Sequence, residues 1–83
     1  MREIDYARLR SFTVRRLTGA LLRDGFSLDR QSCGHHQYFH PDGRRVTVSL
    51  HRSSETFSPR LLQIIIERQA KWTHRDLRRL RII

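Results

Sequence analysis

The sequence predicts an α+β fold: a three-stranded antiparallel sheet with helices packed on one face. Three observations carry that expectation. An apolar stripe at helical spacing over residues 14–22 runs toward a glycine at position 25. Segments with period-two alternation follow, the last two joined by Pro41-Asp42-Gly43. An Ile- and Leu-rich stretch then opens at Ser58-Pro59. With 83 residues, 37% of them hydrophobic, the chain has apolar material for one modest core.

Taken in order, Ile4, Tyr6, Leu9 and Phe12 form a weak apolar stripe, read as a short helix or a docked tail. Thr13 or Ser11 can cap the helix that follows. Val14, Leu17 and Leu21 fall at i, i+3 and i+7, and Leu22 widens the stripe. Arg15, Arg16, Arg23 and Asp24 take the other side. Gly25 ends the helix, because glycine accepts the left-handed conformation after a last turn. Phe26 to Arg30 alternates and reads as a strand with Phe26 and Leu28 inward. His36 to His40 is a second strand. Arg45 to Leu50 is a third, with Val46, Val48 and Leu50 inward. In the turn between them proline presets φ and Gly43 supplies a positive φ.

Residues 51–57 read as polar loop. Ser58 caps a helix whose first residue is Pro59. Leu61, Leu62, Ile65 and Ile66 give its apolar stripe, broadened by Ile64. Thr73 caps a terminal helix with Leu77 and Leu80 on one side and Arg75, Arg78, Arg79 and Arg81 on the other. The organisation is thus an extension over 1–12, a central domain over 13–70 and a basic C-terminal helix over 71–83 packed on it.

Charge narrows the partners. Lys+Arg total 17 against Asp+Glu 8, a formal net charge of +9, and Lys71 is the single lysine. Guanidinium groups bind phosphate in a planar, bidentate way, so such a surface favours polyanions. An acidic protein partner is the rival. No apolar run is long enough to span a membrane, and charged residues interrupt the first thirty positions, so no secretory segment is expected. One cysteine, Cys33, excludes an intramolecular disulfide. A cytoplasmic protein without membrane contact is the expectation.

Four of the five histidines lie in the middle third. Alternation places His36, Tyr38 and His40 on one strand face, with Tyr38 as the core anchor. His35, Gln37 and Phe39 then occupy the open face. His36 is read as bonding a loop carbonyl, His40 as stabilising the turn, His74 as a helix-surface residue. Phe39 either stacks a base or lies under the N-terminal extension or a partner. His36 and His40 would sit about 13 Å apart in a strand, too far for joint ligation. Cys33 with His35 supplies only two ligands, and no metal site is expected. Arg30, Arg44 and Arg45 flank the sheet as phosphate contacts, or, for the last two, as a solvated hairpin edge. His51 stands just past the third strand, as a second acid, a phosphate ligand or a surface residue.

These residues suit RNA cleavage without a metal. RNA carries its own nucleophile, the 2′-hydroxyl. A histidine, with an intrinsic pKa of about 6.5, can take that proton, and arginine can hold the charge developing on phosphorus. Gly25-Phe26, Arg30-Gln31, His35-His36 and the run His40-Pro41-Asp42-Gly43-Arg44-Arg45-Val46-Thr47-Val48 resemble the HicA family of bacterial toxins. The resemblance covers roughly residues 13–70. It implies a double-stranded-RNA-binding-like α-β-β-β-α fold. It also implies a ribonuclease that cuts mRNA and arrests growth, needs no cofactor and is neutralised by a HicB antitoxin. The first histidine of the family's His-His pair is catalytic, and that position here is His35. The chain has Cys33-Gly34 where the family has Gly-Ser, and Ser58-Pro59 where it has Gly-Thr. Two other readings of the same residues stay open: a non-catalytic RNA-binding module and a protein–protein adaptor.

Overall fold

The computed structural model describes residues 4–32, 34–49 and 55–83. Leu50 and His51 therefore lie outside the described residues, as does Cys33. The architecture is α+β: one helix, three antiparallel strands, then further helices, with one sheet face covered and the other open.

The first helix, α1 (Val14–Asp24), starts at Thr13, whose Oγ1 accepts from the Arg16 N–H at 3.2 Å. That bond satisfies one of the amide donors a helix start leaves bare. Val14, Leu17, Ala20 and Leu21 turn into the core. Gly25 stops the helix at φ 104°, and Phe26 N–H reaches back to the Leu21 carbonyl at 3.0 Å. This is a Schellman turn. A Cβ at Gly25 would also meet His40 Nε2 at 3.0 Å, so the position excludes side chains on two grounds. Leu22 does not widen the buried stripe. It is 58% exposed, because it lies about 100° round the helix from Leu21, beyond the arc that the rest of the molecule covers.

Strands β1 (Ser27–Ser32), β2 (His35–Phe39) and β3 (Arg45–Ser49) pair in sequence order. Tyr38, Val46 and Val48 face the helices and are buried, and burial pushes the Tyr38 phenol pKa up. Alternation alone puts Leu28 inside as well. Its cross-strand partner is Tyr38, so it lies on the helix-bearing face, yet it is 46% exposed. The helical layer covers β2 and β3 and stops short of the edge strand β1, all six residues of which are exposed. Phe26, just before β1, fills the core at that end instead.

Ser58 Oγ accepts from the Leu61 N–H at 3.2 Å and opens α2 (Pro59–Gln63). This helix runs directly into a wider π-helical stretch, Ile64–Gln69, where one regular helix was expected. Leu62, Ile65 and Ile66 are buried, whereas Leu61, at the margin of the stripe, is 45% exposed. Then α3 (His74–Arg79) begins with a capping box, in which Thr73 and Asp76 each bond the other's backbone amide. Leu77, Leu80 and Ile82 enter the core. The N-terminal segment is a 3-10 turn, Tyr6–Leu9, capped by Asp5, with Leu9 and Phe12 buried. Tyr6 donates its hydroxyl to Glu67, and burial together with that carboxylate raises its pKa. One apolar cluster therefore joins side chains from both terminal segments, α1, β2, β3 and α2.

Asp24, at the end of α1, ties these pieces together. Its carboxylate accepts from Trp72 Nε1 at 2.8 Å and from Arg79 at 2.7 Å, and lies 3.1 Å from an Arg44 nitrogen. The side chain is only 6% exposed. Burial alone would raise its pKa. The Trp72 and Arg79 hydrogen bonds and the charges of Arg44 and Arg79 outweigh that and hold the carboxyl below the usual carboxylate range. His40 Nε2 donates to the Asp24 carbonyl at 2.8 Å, while its Nδ1 accepts from the Asp42 N–H. His40 thus fixes the hairpin turn, as its place before Pro41 leads one to expect, and anchors that turn to the end of α1.

Candidate active site

Register sorts the sheet's side chains into rows, because cross-strand partners in an antiparallel pair point to the same face. The open face carries three rows. Ser32, His35 and Ser49 form the first; Arg30, Gln37 and Thr47 the second; Ser27, Phe39 and Arg45 the third. Successive rows stand two residues apart, about 7 Å, so His35 and Phe39 are about 13 Å apart along β2.

His35 opens β2 and is exposed. Gly34 precedes it at φ 74°, a left-handed value that a glycine adopts without strain. Small hydroxyl residues, Ser32 and Ser49, flank it on both neighbouring strands.

Arg30 reaches this face through an irregularity. The β1–β2 pairing slips between Leu28, opposite Tyr38, and Arg30, opposite Gln37. Asp29 is the extra residue of a β-bulge. Strict alternation would put Arg30 on the same face as Leu28. The bulge instead rotates it onto the open face, in the row beside His35. Phe39 is half-buried, and the Arg45 guanidinium sits 5.0 Å from its ring centroid. A flat aromatic with a cation against it offers a stacking surface and a phosphate ligand together.

Arg44 is placed otherwise. Its guanidinium donates to Asp42 at 2.8 Å and to the Ala70 carbonyl at 2.6 Å, pairs with Asp24, and lies 4.9 Å from the Phe26 ring centroid. It stitches the hairpin to the helices and does not stand in the rows around His35. His36, on the helix-bearing face, has a buried Nδ1 without a hydrogen-bond partner among the described residues. His74 is the first residue of α3 and half-buried. His51 falls outside the described residues. Among the described residues, no three His, Cys, Asp or Glu side chains converge as metal ligands do, and no helix is long and apolar enough to cross a membrane.

The outer edge of β3 is partly closed, since Gln69 Oε1 accepts from the Thr47 N–H at 2.9 Å. The site is therefore an exposed imidazole in a hydroxyl-lined row, an arginine in the next, and an aromatic–guanidinium pair beyond. Gln37 and Thr47, between the two ends of this face, were not readable as site residues. Their types are common on any strand, and only the register puts them beside Arg30.

The sequence model of a family described as the HicA toxin of bacterial toxin-antitoxin matches residues 14–72, most of the chain. No curated protein matches it.

Proposed function

This chain belongs to the HicA toxin family of bacterial toxin-antitoxin systems, and from that premise we propose that it is a metal-independent ribonuclease that cuts mRNA. One observation supports the reading above all: His35 stands exposed on the open sheet face, one row from Arg30. In this reading the His35 imidazole takes the proton from a ribose 2′-hydroxyl. The 2′-oxygen attacks the adjacent phosphorus, and the bond from phosphorus to the 5′-oxygen breaks. The 5′-oxygen leaves with a proton from solvent or from a second acid, for which His51 is the candidate. The products are a 2′,3′-cyclic phosphate and a 5′-hydroxyl end, and no cofactor enters. Arg30 neutralises charge that develops on the phosphoryl oxygens. Phe39 and Arg45 hold a neighbouring nucleotide by stacking and charge. Arg44 acts by holding the hairpin that carries Arg45.

The protein works in the cytoplasm, where its substrate is, and a HicB-like antitoxin neutralises it. The test is a His35→Ala variant. Proton transfer by a positioned side chain is worth about 10²–10⁴ in rate, and cleavage and growth arrest should fall by that order with the fold intact. A variant that still cleaves at the parent rate removes His35 from the chemistry. A parent protein that binds RNA with steep salt dependence yet never shortens it is the non-catalytic module instead.

A further inference from the structure

Residues 73–83 lie beyond the family match, yet they are built into the fold by a capping box, by Leu77, Leu80 and Ile82 in the core, and by the Arg79–Asp24 pair. Their outer surface is cationic. Lys71, just before the segment, and Arg75, Arg78 and Arg81 within it are exposed, and none joins an ion pair among the described residues. Asp76 is the one acidic residue of the segment, and it is taken up by the cap and by Arg79.

The backbone adds a second, independent observation. Each of the three main helices ends with a residue in the left-handed region. After α1 that residue is Gly25, the usual solution. After the π-helical stretch that continues α2 it is Lys71 at φ 56°, with Trp72 N–H bonded back to the Ile66 carbonyl at 2.8 Å. After α3 it is Arg81 at φ 60°, with Ile82 N–H bonded to the Leu77 carbonyl at 2.8 Å. A residue with a Cβ is strained there and glycine is not. Two positions where glycine fits better both carry a cation pointing to solvent, at either end of the same short helix. Strain of this kind is characteristic of functional sites.

We propose that Lys71, Arg75, Arg78 and Arg81 form a second RNA-binding surface, which grips the phosphate backbone at a distance from His35. The choice of RNA as the polyanion rests on the ribonuclease reading above; the surface itself does not depend on cleavage. The exposed side of α3 brings charge, and Ile83, 47% exposed beyond Arg81, is the one large exposed apolar side chain among residues 71–83, less than the aromatic or aliphatic centre that a protein interface builds around, which favours backbone phosphate over an acidic protein. Its anchor, Asp24, is bonded to His40, five residues along the chain from His35 and so about 17 Å away. At about 3.4 Å per nucleotide of a stacked strand, that is about five nucleotides. The surface therefore selects RNAs long enough to reach both places.

The test is RNA binding by the full chain carrying His35→Ala, which keeps the RNA intact, with Lys71→Gly and Arg81→Gly added together. The glycines relieve the left-handed strain, so the melting temperature holds or rises. Each lost phosphate contact lowers the salt slope by about 0.7. Two contacts cost about 25-fold in affinity at about 0.1 M salt for a single strand of about 15 nucleotides. A strand of about four nucleotides binds both proteins alike. The control pair Arg60→Ala and Arg68→Ala removes the same charge from α2 and its π-helical continuation and loses less than threefold. Equal losses from the two pairs, or none from the glycines, overturn the proposal. So does binding of polyglutamate that drops with the glycines while RNA binding does not, which assigns the surface to an acidic protein. Cleavage plays no part in the readout, so failure here and failure of the ribonuclease reading are told apart.

Discussion

Asp24→Ala is expected to cost the fold about 2–4 kcal/mol. The carboxylate is 6% exposed, takes two hydrogen-bond donors and pairs with Arg44. Removing it leaves Trp72 Nε1, on a side chain 2% exposed, without an acceptor. An orphaned buried donor costs about 1–3 kcal/mol. Arg44 keeps Asp42 and the Ala70 carbonyl, so its loss is about 1 kcal/mol. Arg79 is 52% exposed, so solvent screens its pair and its loss adds little. For a domain of this size the melting temperature should drop by about 10–25 °C. Urea unfolding at neutral pH measures the difference directly. The pH dependence is a further check. A carboxyl whose pKa is lowered by folding stabilises fully above its unfolded value, about 3.9, and loses that contribution as pH falls through the folded value. The gap between the parent and Asp24→Asn should therefore narrow as pH falls below about 4, where the unfolded chain takes up a proton that the folded carboxylate still resists. A gap under about 0.5 kcal/mol at neutral pH, or one that stays constant down to about pH 2, refutes the assignment of Asp24 as the tie between α1, the hairpin and α3.

Three further outcomes follow from single contacts. Gly25→Ala should destabilise by about 1–3 kcal/mol in urea melts, since it strains the backbone and presses on His40. Leu28→Ala should stay within about 0.5 kcal/mol of the parent, whereas Leu17→Ala, fully buried, should lose about 2–5 kcal/mol; equal costs would show that the helical layer does cover β1. Arg30→Ala should lower kcat/KM for RNA cleavage about 10²-fold with unchanged stability, and parent-like cleavage would take Arg30 out of the site.

Much of the fold was legible because each element carries its own local signal. The Thr13 and Thr73 caps, the Pro59 start, the Gly25 stop and the Val46–Val48 alternation are decided by a few neighbouring residues, and all form as read. What escaped depends on two segments at once. The bulge at Asp29 is a property of the β1–β2 pair, so alternation within β1 could not show that Arg30 turns to the face of His35. Whether Leu22, Leu28 and Leu61 are covered depends on how far the helical layer reaches, and a periodicity has no width. Asp24 and Arg44 read as surface charges because their partners, Trp72, Arg79 and Ala70, lie tens of residues away. The placement of His35, Gln37 and Phe39 on the open face was readable from β2 alone, since Tyr38 fixes its phase.

Whether RNA supplies the nucleophile and His35 takes its proton is decided by the product ends of reactions run in a metal chelator. The parent should cleave RNA to 2′,3′-cyclic phosphate and 5′-hydroxyl ends, a 2′-deoxy sugar at the cut should block it, and His35→Ala should give neither product. Cleavage of the deoxy substrate at the parent rate, or 5′-phosphate ends, would contradict that chemistry.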